Sequence, residues 1–371
     1  MNETSPIIRS LEGRYYTDPE IFANERAGLL MRTWQFAGHV SQVAKPGDYF
    51  AFEMSGENLF CVRDRDGEVR TFFNVCQHRA HQLVSGSGHA SLVVCPYHSW
   101  TYELTGQLRA GPNIRSVPDF PKSEICLTSV RTEVFHGFIF VNFDDDAAPM
   151  DDWFPGVREE LGAFVPEIDR LAPLEWVEIP EKCNWKVSIE NYSECYHCSI
   201  NHKTFATGVI KPETYNVMPQ GHCLRHTTEC ANLERMTYPV DPDANEHAGD
   251  YSSWFLWPGA SFQVYPGNVL NTYVWRPLDV VNVTVDDERR LHITAERAER
   301  HEEKVGEDDE DVKMHVYERT YGKVERMFKL PENVEDEKIE ADMKNGVLSV
   351  HVPKIPEPAK EQIPERSIKI K

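Results

Sequence analysis

The sequence predicts an α+β chain built in three successive parts: a small antiparallel β domain, a mixed domain of helices and strands, and a charged, strand-rich tail. Three observations carry this. Short β-type runs joined by tight-turn signals crowd the first half, helix-like and strand-like stretches mix after residue 148, and composition changes abruptly near residue 280. All nine cysteines lie between Cys61 and Cys230, and all eight tryptophans between Trp34 and Trp275. From Val280 onward there are 23 acidic and 17 basic residues in 92, against 37 and 22 in the 279 before, so charge density doubles as Trp and Cys stop. The net charge of −21 over 371 residues argues against a nucleic-acid or anionic-membrane partner. No apolar run reaches 18 residues, and Met1-Asn2-Glu3-Thr4-Ser5-Pro6 does not open a secretory signal, so the expected location is cytoplasmic.

The elements follow in order. Asp18-Pro19-Glu20 reads as a helix start, with Asp as N-cap and Pro at the first helical position. Phe22, Leu29, Leu30 and Trp34 continue a helical stripe that Gly28 weakens. Residues 1–39 are expected to be a helical segment packed on the second domain. Leu59 to Val62 and Val69 to Phe73 flank Asp66-Gly67, a hairpin signal, and Leu92 to Val94 and Phe138 to Phe143 are further strands of a β domain over 40–147. In the next domain, 148–279, Trp153 to Phe164 reads as one helix, while Phe262 to Tyr265 and Asn271 to Trp275 read as strands. Beyond it, over 280–371, strands at Val281 to Val285 and Leu291 to Thr294 bound a charged loop from His301 to Asp311.

Two constellations carry chemistry. Cys76-Gln77-His78 and Cys95-Pro96-Tyr97-His98 lie sixteen residues apart, giving Cys-x-His and Cys-x2-His on two loops of the β domain. Thiolates and imidazoles in that set suit a tetrahedral zinc or an iron–sulfur centre with two Cys on one iron and two His on the other. The usual zinc spacings pair Cys with Cys or His with His, which weighs against zinc. The second is Glu190-Asn191-Tyr192-Ser193-Glu194-Cys195-Tyr196-His197-Cys198-Ser199-Ile200-Asn201-His202. Glu194 and His197, three apart, would share a helical face. His202, five further, must follow a helix end or bulge to converge with His197. Two His and a carboxylate with open positions form a non-haem Fe(II) site; satisfied core histidines are the bland alternative.

Cys76-Gln77-His78-Arg79 followed by Cys95-Pro96-Tyr97-His98-Ser99-Trp100-Thr101-Tyr102 resembles the Rieske domain of ring-hydroxylating oxygenase large subunits, with Ser99 where that family usually has Gly. Asn184-Trp185-Lys186 with Glu190 to His202 resembles the mononuclear-iron segment of the same family, and the Glu-Cys-Tyr-His-Cys form resembles its quaternary-amine branch, which acts on glycine betaine, stachydrine and carnitine. The resemblance implies an all-β Rieske domain followed by a truncated helix-grip-like α+β catalytic domain. It implies a 2Fe–2S cluster on Cys76, His78, Cys95 and His98, iron on His197 and His202, and Glu194 as the carboxylate bridging cluster and iron between subunits of a homotrimer. It also implies electrons from an NAD(P)H-dependent flavin or iron–sulfur reductase, and O2 with a small-molecule substrate. N-demethylation or cleavage of a quaternary amine is the expected reaction, with aromatic-ring dioxygenation the alternative. Tyr251, Trp254, Phe255, Trp257, Phe262 and Tyr265 offer aromatic faces for a cation or ordinary core in equal measure.

The tail resembles a partial α-crystallin domain of small heat-shock proteins. The matching stretches are Val283 to Arg297, Phe328 to Asn333, Ala341-Asp342-Met343-Lys344-Asn345-Gly346-Val347-Leu348, and Ile368-Lys369-Ile370. A chaperone-like or oligomerising role is therefore the alternative from another class, and a zinc-stabilised binding module the third. The third, carboxylate iron ligand of the oxygenase family has no counterpart in matching context. Asp286 and Asp287 are not assigned that role, and turnover is expected to be impaired or absent.

Overall fold

The computed structural model describes residues 10–230, 232–277, 281–286, 289–296, 323–331, 333–344 and 347–355. The charged loop 301–311, Asp287, the Asn345-Gly346 pair and Ile368 to Ile370 lie outside the described residues. The chain divides into two compact units, Met1–Pro277 and Leu278–Lys371. No helix among the described residues is long and apolar enough to cross a membrane.

The first unit opens with helices α1 (Arg14–Thr17) and α2 (Pro19–Gly28). Asp18 caps α2 as its sequence predicts, its carboxylate accepting the Glu20 N–H at 2.9 Å. Strands β1 (Gln35–His39), β2 (Asp48–Met54), β3 (Glu57–Arg63), β4 (Val69–Phe73) and β5 (Ser87–His89) follow. After them come β6 (Val93–Val94), β7 (Thr101–Tyr102), β8 (Leu108–Ala110), β9 (Ser129–Phe135) and β10 (Phe138–Asn142). Seven make one antiparallel sheet in the order β1-β10-β9-β4-β3-β2-β5, and β6-β7-β8 make a smaller one. The β3–β4 hairpin turns at Gly67 (φ +92°), and buried Asp64 fixes it by accepting the N–H groups of Asp66 and Glu68 and Nε of Arg70. Between the two sheets a core forms from Phe60, Phe72, Tyr102, Leu108 and the buried thiols of Cys76 and Cys95.

The single helix expected from Trp153 to Phe164 is instead two, α3 (Met150–Trp153) and α4 (Val157–Phe164). Pro155 offers no N–H, and Gly156 adopts φ +76°, so the chain turns there before α4 begins. Short helices α5 (Trp185–Tyr192), α6 (Cys198–Asn201) and α7 (Lys203–Gly208) come next. An antiparallel meander closes the unit: β11 (Asn216–Gln220), β12 (Cys223–Thr228), β13 (Tyr251–Leu256), β14 (Ala260–Tyr265) and β15 (Val269–Val274).

Alternation along the meander gives each face its own task. Trp254, Phe262 and Val264 join Phe164 and Leu161 of α4 in the largest core cluster. Glu160 of α4 ties that face down, accepting Nε of Arg225 at 2.5 Å and Nε1 of Trp254 at 2.9 Å. The opposite face presents Phe255 to Trp185 and Ile189 of α5 and Tyr251 to Cys198 of α6. Helix α2 also lies on α5: Glu25 accepts from Nζ of Lys186 at 2.8 Å and Nε1 of Trp185 at 3.2 Å, and Phe22 and Leu29 join their apolar contact.

The second unit holds a three-stranded sheet of β16 (Val281–Val285), β17 (Arg290–Glu296) and β18 (Lys323–Lys329), and a hairpin of β19 (Glu340–Lys344) and β20 (Val347–His351). Leu291, Leu330 and Val334 form its buried centre.

Candidate metal centres

The two Cys–His loops are built alike. In each, the cysteine N–H donates to the carbonyl five residues on (Cys76 to His81, Cys95 to Trp100, both 2.8 Å). In each, the residue four positions on returns its N–H to the cysteine carbonyl (Ala80 at 3.0 Å, Ser99 at 2.9 Å). That residue, four past the cysteine, is left-handed both times, Ala80 at φ +55° and Ser99 at φ +57°. Only glycine takes this conformation without strain, which is the physical reason Gly suits the position Ser99 fills.

The loops carry their thiols inward and their imidazoles outward. Cys76 and Cys95 are 2% and 1% exposed and lie side by side, and burial, with Cys95 adjacent, pushes the Cys76 thiol up. His78 is exposed and His98 half-buried. Their ring centres stand 4.7 Å apart at 76°. Two imidazoles on one ion have centres about 4.5–5.2 Å apart for N–metal bonds of about 2.1 Å and angles of about 90–110°, so the pair fits one iron and the thiols the other. Trp100 stacks on His78 (4.7 Å, 10°), and the Tyr102 hydroxyl reaches Cys76 Sγ at 3.2 Å.

Glu194 and His197 do not share a helix. Helix α5 stops at Tyr192, and both residues occupy the turn before α6. They still meet: Glu194 Oε1 lies 2.5 Å from His197 Nδ1, and Oε2 accepts the Tyr196 N–H. Burial raises the Glu194 carboxyl, but the bonds from His197 and Tyr196 outweigh it and hold the group below the usual carboxylate range. His202 is the C-cap of α6, where the backbone leaves the helix (φ −115°, ψ 55°), and this break is what lets residues five apart converge. The two rings are 5.0 Å apart at 75°, again the spacing of two imidazoles on one ion. With Nδ1 of His197 engaged, Nε2 is the nitrogen left for a metal. Among the described residues, no group of three or more His, Cys, Asp or Glu side chains converges as a single-ion site. Asp286 is used otherwise, accepting the backbone N–H and Nε of Arg290 in the β16–β17 turn.

Residues 33–121 match the family profile described as the Rieske [2Fe-2S] domain. The chain is 33% identical over 269 residues to the carnitine monooxygenase oxygenase subunit of Acinetobacter baumannii, covering 71% of each chain. The chain belongs to the Rieske non-haem iron oxygenases. Over 204 residues it is also 33% identical to the glycine betaine monooxygenase oxygenase subunit of Chromohalobacter salexigens, covering 54% of this chain and 45% of that one. A solved quaternary ammonium Rieske monooxygenase in complex with L-carnitine superposes with a TM-score of 0.62 at 30% identity, over 71% of this chain and 70% of that one. Naphthalene 1,2-dioxygenase, at 23% identity and a TM-score of 0.55 over 71% and 70%, shares the fold. Residues 278–371 match a second profile, the Hsp20/alpha crystallin family. The chain thus joins a Rieske oxygenase, whose family carries a 2Fe–2S cluster and mononuclear iron, to an Hsp20-like end.

In this oxygenase the aromatic candidates sort by sheet face. Trp254 and Phe262 are fully buried in the α4 core and offer nothing to a ligand beside His197. Tyr251 and Tyr265 face the α6–α7 side, in edge contact with each other (5.2 Å) and with Phe205. Phe255 and Trp257 cover Trp185 and Ile189 of α5.

Sequence reasoning missed a polar network on the same face. The Tyr192 hydroxyl lies 2.6 Å from Ser253 Oγ and accepts from Gln263 Nε2 at 3.2 Å. Tyr215 reaches Nδ1 of fully buried His226 at 2.8 Å, while His226 Nε2 has no partner. Burial lowers His226 to about 4, so its ring is neutral at pH 7. Period-two spacing of His226 with Leu224, and of Ser253 with Tyr251 and Phe255, was the available signal.

Proposed function

We propose that this chain is the oxygenase subunit of a two-component monooxygenase that oxidises an N-methyl carbon of a small quaternary amine, with cluster-to-iron electron transfer between the subunits of a homotrimer. The observation that carries the reading is the Glu194–His197–His202 arrangement downstream of two matched Cys–His loops. Relatives named for carnitine and glycine betaine oxidation supply the substrate class. Cys76, Cys95, His78 and His98 would hold the 2Fe–2S cluster and His197 and His202 the iron; together these groups supply single electrons from a reductase and activation of O2.

The protein's own part is positioning. Tyr102 would donate its hydroxyl proton to Cys76, because a cluster-bound thiolate carries no proton of its own, while its oxygen accepts the Gln77 N–H at 3.1 Å. Glu194 fixes the proton of His197 on Nδ1 and, 47% exposed, still presents carboxylate to a neighbouring subunit. Tyr251, Tyr265 and Phe205 place aromatic edges and faces on the α6–α7 side, suited to a cation that has no hydrogen to donate. A hydroxylated N-methyl carbon separates into amine and formaldehyde, so formaldehyde is the product to assay.

The test is single turnover of cluster- and iron-loaded protein, chemically reduced, with carnitine, glycine betaine and choline set against aromatic acids. Formaldehyde from a quaternary amine supports the reading; a ring diol from an aromatic acid favours the dioxygenase alternative. The Hsp20-like match over 278–371 supports a second, separate role in assembly or client binding. Suppression of client aggregation by the full chain tests that role.

A further inference from the structure

The meander carries a polar row on the face turned toward α5 and α6, flanked on β13 by Phe255 and Tyr251. His226 of β12 stands opposite Ser253 of β13, Ser253 opposite Gln263 of β14, and Gln263 opposite Asn271 of β15. Polar side chains in register across a covered sheet face are costly unless each finds a partner. Most of this row does. The Tyr192 hydroxyl bonds Ser253 and Gln263, and Gln263 Oε1 accepts from the Tyr265 hydroxyl at 3.1 Å and from Asn271 Nδ2 at 3.4 Å. His226 is the exception. It is wholly buried, Nδ1 meets the Tyr215 hydroxyl at 2.8 Å, and among the described residues Nε2 has no partner.

The single proton of the neutral ring decides what Nε2 offers. On Nδ1 it would be given to the Tyr215 oxygen, leaving both the phenol proton and the Nε2 lone pair unmet. On Nε2 it lets the phenol donate to Nδ1 and leaves over only the Nε2–H, so this tautomer strands fewer groups. Burial pushes the Tyr215 phenol up, with Tyr192 and Glu194 adding to it, so the phenol keeps the proton that this arrangement needs. A donor buried without an acceptor calls for an explanation. Arg225, next to His226 on β12, opposes a second positive charge there, and the same field favours an anion beside the ring. The row also adjoins the aromatic side described above. Tyr251 stands opposite Thr228, two residues along β12 from His226 or about 7 Å, and Tyr265 reaches into the row itself.

We propose that the Nε2–H of His226 receives the carboxylate of a zwitterionic quaternary amine, and so selects amines that carry an acid over those that do not. This rests on the substrate reading above and narrows it. The ammonium end, which has no hydrogen to donate, lies against Tyr251 and Tyr265, where ring faces and edges suit it. The acid end lies against a neutral donor, and a hydrogen bond to a carboxylate is stronger than one to an uncharged oxygen. The ligand's two charges are thereby sorted along β12. His226 is a specificity residue, acting at the pole away from the N-methyl carbon.

The experiment is isothermal titration calorimetry of the full chain with its cluster loaded, without oxygen, using three probes. 4-Trimethylammoniobutanoate carries both poles, 5,5-dimethylhexanoate is its carbon isostere with the acid alone, and tetramethylammonium is the cation alone. His226→Phe should weaken both acids by about tenfold or more and leave tetramethylammonium within about twofold, which also shows the variant folded. His226→Gln, which keeps an N–H near the Nε2 position, should recover most of the loss. Weakening of all three probes alike, unchanged binding of the acids, or no binding of either acid by the unmodified chain overturns the proposal. Binding of the acid-only probe that depends on His226, with no gain from the ammonium and no binding of tetramethylammonium, upholds the donor and defeats the quaternary-amine reading. Binding of the amines that is indifferent to His226 does the reverse.

Discussion

Replacing Tyr102 by Phe should lower the potential of the cluster without unseating it. Tyr102 is fully buried, its hydroxyl is 3.2 Å from Cys76 Sγ and its oxygen accepts the Gln77 N–H; toward a thiolate, which carries no proton, the hydroxyl is the donor. Reduction adds negative charge to the ligated sulfur, and a donor aimed at it stabilises the reduced state more than the oxidised one. A hydrogen bond to a charged group contributes roughly 1.5–3 kcal/mol in total. If about half to two-thirds of that is gained only on reduction, the difference is about 0.8–2 kcal/mol, or about 30–90 mV for a one-electron couple. The variant also leaves Gln77 N–H without its acceptor, costing about 1 kcal/mol of stability, which a parallel unfolding curve separates from the redox effect. The assay is an EPR- or CD-monitored redox titration of the full chain. A potential that rises, or moves by less than about 10 mV, would refute the donor assignment and leave Tyr102 a packing residue.

Other substitutions test the rest of the architecture. His197→Ala should remove mononuclear iron and leave the cluster's visible spectrum intact; loss of the cluster instead would show the two centres were assigned the wrong way round. Iron occupancy of the unmodified chain should itself be low and single turnover impaired, since no third acidic ligand converges among the described residues; full occupancy with normal turnover would refute this. Ser99→Gly relieves a side chain at φ +57° and should stabilise the protein by about 0.5–1 kcal/mol in chemical denaturation, whereas a loss would mean the Ser99 side chain makes a compensating contact. His226 binds a proton only near pH 4 when folded but near 6.5 when unfolded. Its stabilising contribution is therefore complete above about pH 6.5 and is lost as pH falls toward 4, by about 3 kcal/mol over that window. His226→Gln should flatten that limb of the urea-midpoint profile, and an unchanged slope would place the acid sensitivity elsewhere.

Glu194 and Glu160 show how differently two carboxylates of one unit are used. Glu160 spends both oxygens on its own chain, binding Arg225, Trp254 and Gln220 and pinning the meander to α4. Glu194 bonds only within its own turn, to His197 Nδ1 and the Tyr196 N–H, and remains near the surface. A carboxylate that orients a metal-binding imidazole and keeps lone pairs toward solvent can accept one further donor from outside. An imidazole of a neighbouring copy's His78 or His98, itself on the outer side of the cluster loops, is the donor the proposed trimer would bring.

What the sequence disclosed and what it concealed follow from the range of the forces involved. The Cys–His loops were legible because each is closed within six residues, so spacing alone fixes which atoms meet. The α2 start was legible for the same reason, since the Asp18 cap acts on Glu20. The Trp153–Phe164 helix failed because apolar spacing outvoted Pro155-Gly156, the local pair that sets the backbone there. Glu194 and His197 met as their three-residue separation implied, though in a turn, because a tight turn brings i and i+3 together as a helix does. The aromatics could not be sorted in advance. Alternation shows that Tyr251 and Trp254 lie on opposite faces, but which face meets α4 is decided by Arg225 and Glu160, 65 residues apart.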